Sequence, residues 1–319
     1  MNVISYSVSV LIIATISVVS QAADQDEAIA YLDSTAAQYQ DLAMTIWDHA
    51  ELGYQENRSS TLLQETLAAE GFAIEAGVAG IPTAFVASYG SGEPVIGLLA
   101  EFDALPGISQ SSEPLRQPVE GKSSGHACGH HLFGAGSITA MGTGTTVAAE
   151  VIHGNHSVLP NEALATVMHR NLSTVGGVRY NKAEREYASK ITSTLDLTED
   201  LQGLEEQIAP LKFFQLMGST DVGDVSWRVP TAEMRAATWV PGTSPHTWQA
   251  IAAGGTSIGG KGMMVAAKTM TLTAIDLFEQ PALLAAAREE FEQRLGPDFH
   301  YEALLGDRDP PLDYRKGVE

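Results

Sequence analysis

Val95-Ile96-Gly97-Leu98-Leu99-Ala100 is an apolar run followed directly by Glu101-Phe102-Asp103. A run without polar side chains is typical of a β-strand that is covered on both faces. The segment Thr83–Tyr89 precedes it across a glycine- and proline-containing turn, so two strands joined by a turn are predicted. The second strand delivers two carboxylates at its carboxyl end, where open α/β sheets build their sites. The stretch therefore predicts an α/β fold with a mixed or parallel sheet flanked by helices.

Apolar residues at helical spacing predict the flanking helices. One or two amphipathic helices are expected between Asp24 and Leu52, and another begins at Ser60 as N-cap and ends at Gly71. The same patterns predict the later elements, in chain order: a helix over 131–140, a strand over 147–152, a helix over 161–172 capped by Asn161, a strand over 232–240, a helix or strand of small residues over 259–278, and a helix over 281–295.

The charge and cysteine content exclude several classes of protein. The chain has 319 residues and a net charge of −21, and it lacks the Lys/Arg clusters on which binding to nucleic acid and anionic lipid depends. Cys128 is the only cysteine, so no intramolecular disulfide can form.

The first 22 residues carry no charged side chain, and a short apolar stretch from Val8 to Val19 is followed by Ser20-Gln21-Ala22. This pattern predicts a signal peptide over 1–22 and export to a periplasmic or secreted location, with no membrane attachment after cleavage. An uncleaved membrane anchor is the alternative, because the usual basic residue before the apolar stretch is missing.

The run Gly125-His126-Ala127-Cys128-Gly129-His130-His131 places a thiol and three imidazoles within six positions. A thiolate and an imidazole that converge in a tight turn suit Zn²⁺ or Mn²⁺, and the thiolate favours Zn²⁺. The run therefore predicts a metal site. Two alternatives are a buried cysteine beside solvated histidines and a nucleophilic Cys/His pair.

Three further groups of polar residues are candidates for the same site. Glu101 and Asp103 share a face of the strand end, where one could ligate and the other orient a ligand, or both could cap the turn at Pro106. Asp221, Asp224 and Ser226 could line a pocket for a polar substrate, or could belong to an ordinary turn. His246 follows a strand in a proline-rich turn, as a distant ligand or as a solvated histidine.

These motifs, in this order, resemble the M20 metallopeptidases, and within them the amidohydrolase branch that contains aminobenzoyl-glutamate hydrolase and aminoacylase-like dipeptidases. The resemblance covers nearly all of the chain from Ala28 to Tyr314. It implies a zinc-hydrolase catalytic domain in which two ions activate water to hydrolyse an amide bond of an N-acyl or aminobenzoyl amino acid or dipeptide. It also implies that Cys128, His130 and His246 bind metal and that Asp103 orients a ligand. The segment with Asp221, Asp224 and Ser226 would then bind the substrate.

The chain departs from the family after the Cys/His run. The family continues with a Glu-Glu pair, which supplies the general base and a ligand, then a ligand histidine, and then a lid that also forms the dimer. Here Ala140 is followed directly by Met141-Gly142-Thr143, so the base, two ligands and the lid are predicted to be missing between parts 23–140 and 141–319. Dimerisation is then doubtful, and Glu205-Glu206 and Glu289-Glu290 are expected to be solvated rather than to substitute.

Three hypotheses follow from these motifs and their interruption. The first is an exported amidohydrolase that acts on a small molecule. The second is a catalytically dead remnant, by deletion or by a gene-model error, which binds at most one ion. The third is an exported metal-binding protein without enzymatic ancestry, which the four motifs make the weakest of the three.

Overall fold

The computed structural model describes residues 9–141, 156–213, 220, 222–302 and 312. The helices within these ranges are α1 Ser9–His49, α2 Asn57–Ala69, α3 His130–Met141, α4 Glu162–Val175, α5 Lys182–Thr192, α6 Val222–Ser226, α7 Trp248–Gly254, α8 Ser257–Glu279 and α9 Pro281–Leu295. The strands are β1 Ala73–Ala76, β2 Phe85–Ser88, β3 Leu105–Pro106 and β4 Ser124–Gly125.

The strands form two small sheets. β1 pairs antiparallel with β2, with Ala73 opposite Ser88 and Ala76 opposite Phe85, and β3 pairs antiparallel with β4. A single parallel bridge joins Leu52 to Ala104. The protein is thus an α/β structure with small sheets, and the predicted mixed or parallel sheet is not formed by the described residues.

Two predicted strands account for this difference. Val95–Ala100 is not a strand, and Val95 is 58% exposed, so the run is not covered on both faces. Its expected partner β2 pairs instead with β1, which precedes it in the chain. The predicted strand over 232–240 is also absent, and the one predicted over 147–152 lies outside the described residues.

The helix predictions are largely confirmed. α9 has the predicted bounds, and α4 begins after Asn161, whose side chain accepts a hydrogen bond from the Leu164 amide at 2.9 Å. The 259–278 segment, for which a helix or a strand was predicted, is helical and forms most of α8. The predicted start of α2 at Ser60 is wrong, because the helix begins at Asn57 and the buried Ser60 hydroxyl donates to the Thr83 carbonyl at 2.7 Å.

Helix α8 lies at the centre of the helical layer and packs against α1, α3, α4, α7 and α9. The core between α1, α2, α3 and α8 is apolar; its fully buried members include Leu32, Ile46, Leu63, Leu67 and Met263. Asp276 of α8, which is buried, accepts hydrogen bonds from Gln25 of α1 and from Arg170 and Asn171 of α4. Apolar and polar contacts therefore both fix α8 against its neighbours.

Glycine at position 262 of α8 is required by a backbone contact. A Cβ there would lie 2.5 Å from the Ala237 carbonyl oxygen, whereas a Cβ at Gly260 would meet only the flexible side chain of Gln40. Alanine favours helix by about 1 kcal/mol over glycine, but overpacking against fixed atoms costs about 1–3 kcal/mol. We expect Gly262→Ala to lower the free energy of unfolding and Gly260→Ala to leave it unchanged or raise it, as measured by urea denaturation. Equal stabilisation by both variants would contradict the packing of α8.

Helix α1 runs without interruption through Ala22, the predicted end of the signal peptide. Cleavage and export stay predictions, as do the boundaries at residues 22 and 140. Within the described ranges, no helix combines the length and the apolar character needed to cross a membrane.

Candidate metal centre

The Cys/His run forms a turn between β4 and the start of α3. Gly129 adopts a φ of +83°, which a residue with a side chain rarely takes, and its α-carbon faces the ring of Trp239. Gly125 has no room for a side chain either, because a Cβ there would lie 2.9 Å from the Ile108 carbonyl oxygen. The glycines of the run therefore allow the turn to be tight and closely packed.

Cys128 contacts His246, and the predicted role of His246 as a distant metal ligand stays a prediction. The Cys128 Sγ and His246 Nε2 atoms are 2.9 Å apart, although the two residues are separated by 118 positions. The backbone N–H of His246 donates to the Ala127 carbonyl at 3.0 Å, and His246 has a φ of +62°. The turn that carries His246 is thus tied to the Cys/His turn by a side-chain and a main-chain contact.

The thiol of Cys128 is held in its protonated form. Burial raises its pKa to about 11, and the charges of Asp103 and Glu101 act in the same direction. At neutral pH the sulfur beside His246 Nε2 therefore carries its proton. This arrangement does not favour the nucleophilic Cys/His alternative, which needs a thiolate.

His130 lies between the two carboxylates of the 101–103 segment. Its Nδ1 is 2.7 Å from Asp103 Oδ1 and its Nε2 is 3.0 Å from Glu101 Oε2. Burial acts to raise the pKa of Asp103, but the hydrogen bond and the charge of His130 outweigh it and lower that pKa. Both ring nitrogens of His130 therefore face carboxylates rather than Cys128.

His126 and His131 point into the core. They are 1% and 0% exposed, and their Nε2 atoms contact the carbonyl oxygens of Ile46 and Gly254 at 3.0 and 3.1 Å. Burial lowers the pKa of His126 to about 4 and that of His131 well below its usual value. The run therefore divides its polar side chains between an outer pair, Cys128 and His130, and an inner pair, His126 and His131.

The donor arrangement does not fit a centre of two metal ions. Among the residues that the structure describes, no three His, Cys, Asp or Glu side chains are grouped so that they could hold an ion. A tetrahedral zinc ion would place a thiolate sulfur and an imidazole nitrogen about 3.6 Å apart, so Cys128 and His246 would have to separate to admit one. His130 would also have to leave at least one of its carboxylates.

The predicted substrate segment is a short helix, α6, rather than a loop. Asp224 is buried; it accepts hydrogen bonds from the His156 amide at 3.1 Å and from the Tyr301 hydroxyl at 2.8 Å. The Ser226 hydroxyl accepts from the Leu159 amide at 2.8 Å. Both side chains thus hold neighbouring segments in place, and Asp221 lies outside the described residues. A role in binding substrate stays a prediction.

The two glutamate pairs are partly solvated: Glu206 and Glu289 are exposed, as expected, whereas Glu205 is buried and Glu290 is partly buried. Glu205 is 6% exposed and accepts a hydrogen bond from the Gly203 amide, which corrects the expectation that it is solvated. Glu290 accepts from the amides of Glu162 and Ala163 at the start of α4. Glu206 and Glu289 contact Arg185 and Gln293. The four carboxylates therefore have structural partners of their own.

A cleft of about 260 Å³ lies beside Gly125 and was not anticipated from the sequence. Trp47, Lys122 and several serines line it, but Lys122 is paired with Asp48, and Ser124 donates to the Ala50 carbonyl. No spacing in the sequence predicted this cleft, because the loop 107–122 forms it by contacts within itself and with α1.

Comparison with known proteins relates the chain to hydrolases of the amidohydrolase and peptidase class. The chain is similar to a p-aminobenzoyl-glutamate hydrolase subunit of Escherichia coli strain K12, at 24% identity over 82% of this chain and 93% of that relative. It is also similar to thermostable carboxypeptidases 2 and 1 of Saccharolobus solfataricus, at 39% and 38% identity over 27% of this chain and 21% of each relative. These matches confirm the resemblance to an M20/amidohydrolase-like family.

No family model matches the chain. Among solved structures, an aminohydrolase from methicillin-resistant Staphylococcus aureus is similar to this chain at 25% identity and a TM-score of 0.32, over 37% of this chain and 30% of its own length.

The alignment with the Escherichia coli hydrolase is longer than this chain. It runs over 450 positions, whereas 82% of 319 residues is about 262 residues. Roughly 190 aligned positions therefore have no counterpart here.

Proposed function

We propose that the chain descends from an exported, metal-dependent amidohydrolase of the M20 type and that, in its present form, it does not hydrolyse amides. The ancestral substrates are N-acyl or aminobenzoyl amino acids or dipeptides, in line with the name of the Escherichia coli relative. The observation that carries the proposal is the state of the two carboxylates beside the Cys/His turn. Glu101 and Asp103 are both engaged with His130, so neither is free to act as a general base.

The residues that remain for an ion are Cys128, His130 and His246. We propose that they bind at most one divalent ion, zinc or manganese, with the thiolate favouring zinc. The family's Glu-Glu pair and further histidine have no counterpart after Ala140, and the unmatched positions in the alignment with the Escherichia coli hydrolase support a missing block. We place that block, including the dimerising lid, at the Ala140/Met141 junction.

A second candidate is an active amidohydrolase, which is favoured by similarity to a named hydrolase over 82% of the chain. In that case Asp103 would orient a ligand, and Asp221, Asp224 and Ser226 would contribute to a pocket for the small-molecule substrate. The two candidates differ in the number of ions bound and in turnover. Genomic sequence across the Ala140/Met141 junction also separates them, because coding sequence found between these residues would restore the complete site.

Metal content of the purified chain tests the proposed ion site. After equilibration with zinc or manganese and removal of the excess, we expect at most one ion per chain by elemental analysis. Cys128→Ser and His246→Gln are expected to remove it, because each deletes one of the two donors that already meet. His169→Gln, on α4, is the matched control and is expected to leave the metal content unchanged. Two ions per chain would contradict the proposal.

A further inference from the structure

The two inner histidines hold the Cys/His turn from opposite sides. His126 Nε2 contacts the Ile46 carbonyl of α1 at 3.0 Å, and His131 Nε2 contacts the Gly254 carbonyl of α7 at 3.1 Å. A carbonyl oxygen only accepts hydrogen bonds, so each Nε2 carries the hydrogen and each Nδ1 is a bare acceptor. No hydrogen bond of standard geometry reaches either buried Nδ1 among the described residues, although the main chain of Asp103 lies close enough to His126 to raise its pKa. Each ring is therefore fixed by its Nε2 contact and by packing, with ring centroids 4.8 Å apart.

The two carbonyls belong to helices that are joined to each other. Trp47 of α1 donates from Nε1 to the Ile251 carbonyl of α7 at 3.2 Å. A Cβ at Gly255 would lie 2.7 Å from the Trp47 ring, and one at Gly254 would lie 3.1 Å from His131 Cε1. The glycines thus allow α7 to approach both α1 and the turn. The acceptors of His126 and His131 are consequently fixed by the helical core and not by the turn itself.

We infer that His126 and His131 are positioning residues that set the conformation of the Cys128–His130 turn from the core, so that this turn is formed without a metal ion. The inference rests on the proposed function in taking Cys128 as one of the remaining donors. It adds that the geometry of the donors is determined by the Ile46 and Gly254 carbonyls. The other histidine of the run, His130, is held separately by Glu101 and Asp103.

Labelling of Cys128 with a thiol reagent reports on this turn, because the chain has one cysteine. The experiment compares the full chain in chelator at a fixed neutral pH with its variants. His126→Leu and His131→Leu remove the imidazole donors; the Gly254 carbonyl then loses its hydrogen bond from His131, whereas the Ile46 carbonyl keeps the one from the Ala50 amide at 3.0 Å. His126→Gln and His131→Gln keep an N–H donor near the Nε2 position. His169→Leu serves as a control for the loss of a histidine elsewhere.

We expect the metal-free chain to protect Cys128 relative to the chain in concentrated urea. Loss of the hydrogen bond that ties each ring to its helix favours local opening, so each leucine variant is expected to label roughly tenfold faster, while the glutamine variants stay within about threefold of the original rate. The control is expected to label at the original rate. Rescue by glutamine distinguishes the hydrogen bond from the bulk of the ring.

Three results would overturn the inference. One is a metal-free chain that labels as fast as the unfolded chain and becomes protected only with zinc, because the ion would then form the turn. Another is a folded leucine variant that labels at the original rate. If the leucine variants do not fold by circular dichroism, folded and protected glutamine variants support the inference, and unfolded glutamine variants overturn it. Two ions per chain would overturn the proposed function alone, because the labelling is measured without metal.

Discussion

Supplied with zinc or manganese, the purified chain is expected to hydrolyse p-aminobenzoyl-glutamate and small N-acyl amino acids at least about 10²–10⁴-fold more slowly than a complete relative, since a general base contributes roughly that factor. The physical reason is the lack of a free carboxylate at the Cys128–His246 pair among the residues that the structure describes. Glu101 and Asp103 are bound to His130, and the glutamates of the two other pairs have partners elsewhere.

The measurement is the initial rate of product release for this chain and for the Escherichia coli p-aminobenzoyl-glutamate hydrolase, assayed side by side. Cys128→Ser serves as the control for contaminating hydrolases, because a trace activity that survives it does not come from this site. Turnover near that of the complete relative, and abolished by Cys128→Ser, would contradict the proposal and would favour the active amidohydrolase.

The helices could be predicted because their signals are local. The cap at Asn161 acts on Leu164, three residues along the chain, and Pro281 at the first position of α9 marks its start. The Val95–Ala100 run lacks such a signal. Its apolar composition is compatible with a buried strand, but a strand also needs a partner, and pairing depends on residues that periodicity does not identify.

The site was predicted only in part, because local spacing does not identify contacts between residues that are distant in the chain. Spacing placed Cys128 and His130 in one turn and left His246 as a distant ligand or a solvated histidine, whereas the family resemblance connected Cys128 with His246 across 118 positions. The inward orientation of His126 and His131 could not be predicted, because it depends on the main-chain carbonyls of Ile46 and Gly254. The outer pair, Cys128 and His130, and the inner pair, His126 and His131, therefore lie in different environments, which the composition of the run does not distinguish.

Acid is expected to destabilise the metal-free chain steeply below about pH 6.5. His126 and His131 have their pKa values lowered by burial, to about 4 for His126, from the ordinary value of 6.5. Below pH 6.5 the unfolded chain binds protons that the folded chain does not, so the free energy of unfolding falls as the pH falls. Each histidine contributes a slope of about 1.4 kcal/mol per pH unit until the pH reaches its folded pKa.

The carboxylates affect the free energy of unfolding at lower pH than the buried histidines do. The pKa values of Asp103, Glu51 and Glu184 are lowered from 3.8 or 4.5, so the stability that they confer is lost only as the pH falls below about 4.5. Between pH 6.5 and 5, His49, whose pKa burial also lowers, acts in the same direction as the buried histidines, and Glu56, whose pKa burial raises, acts in the opposite direction. The two buried histidines together lose about 3 kcal/mol over that interval, which is large beside the roughly 5–15 kcal/mol that stabilises a typical domain.

Urea denaturation at several pH values between 7.5 and 5, in chelator, measures this slope. His126→Gln and His131→Gln keep a donor for the core carbonyls but cannot be protonated, so each is expected to reduce the slope by about 1.4 kcal/mol per pH unit. His169→Gln, a histidine on α4 that is not fully buried, is expected to change it little. A double glutamine variant with the original slope would show that the inner histidines are protonated in the folded chain, and hence that their rings do not have the buried environment on which the turn depends.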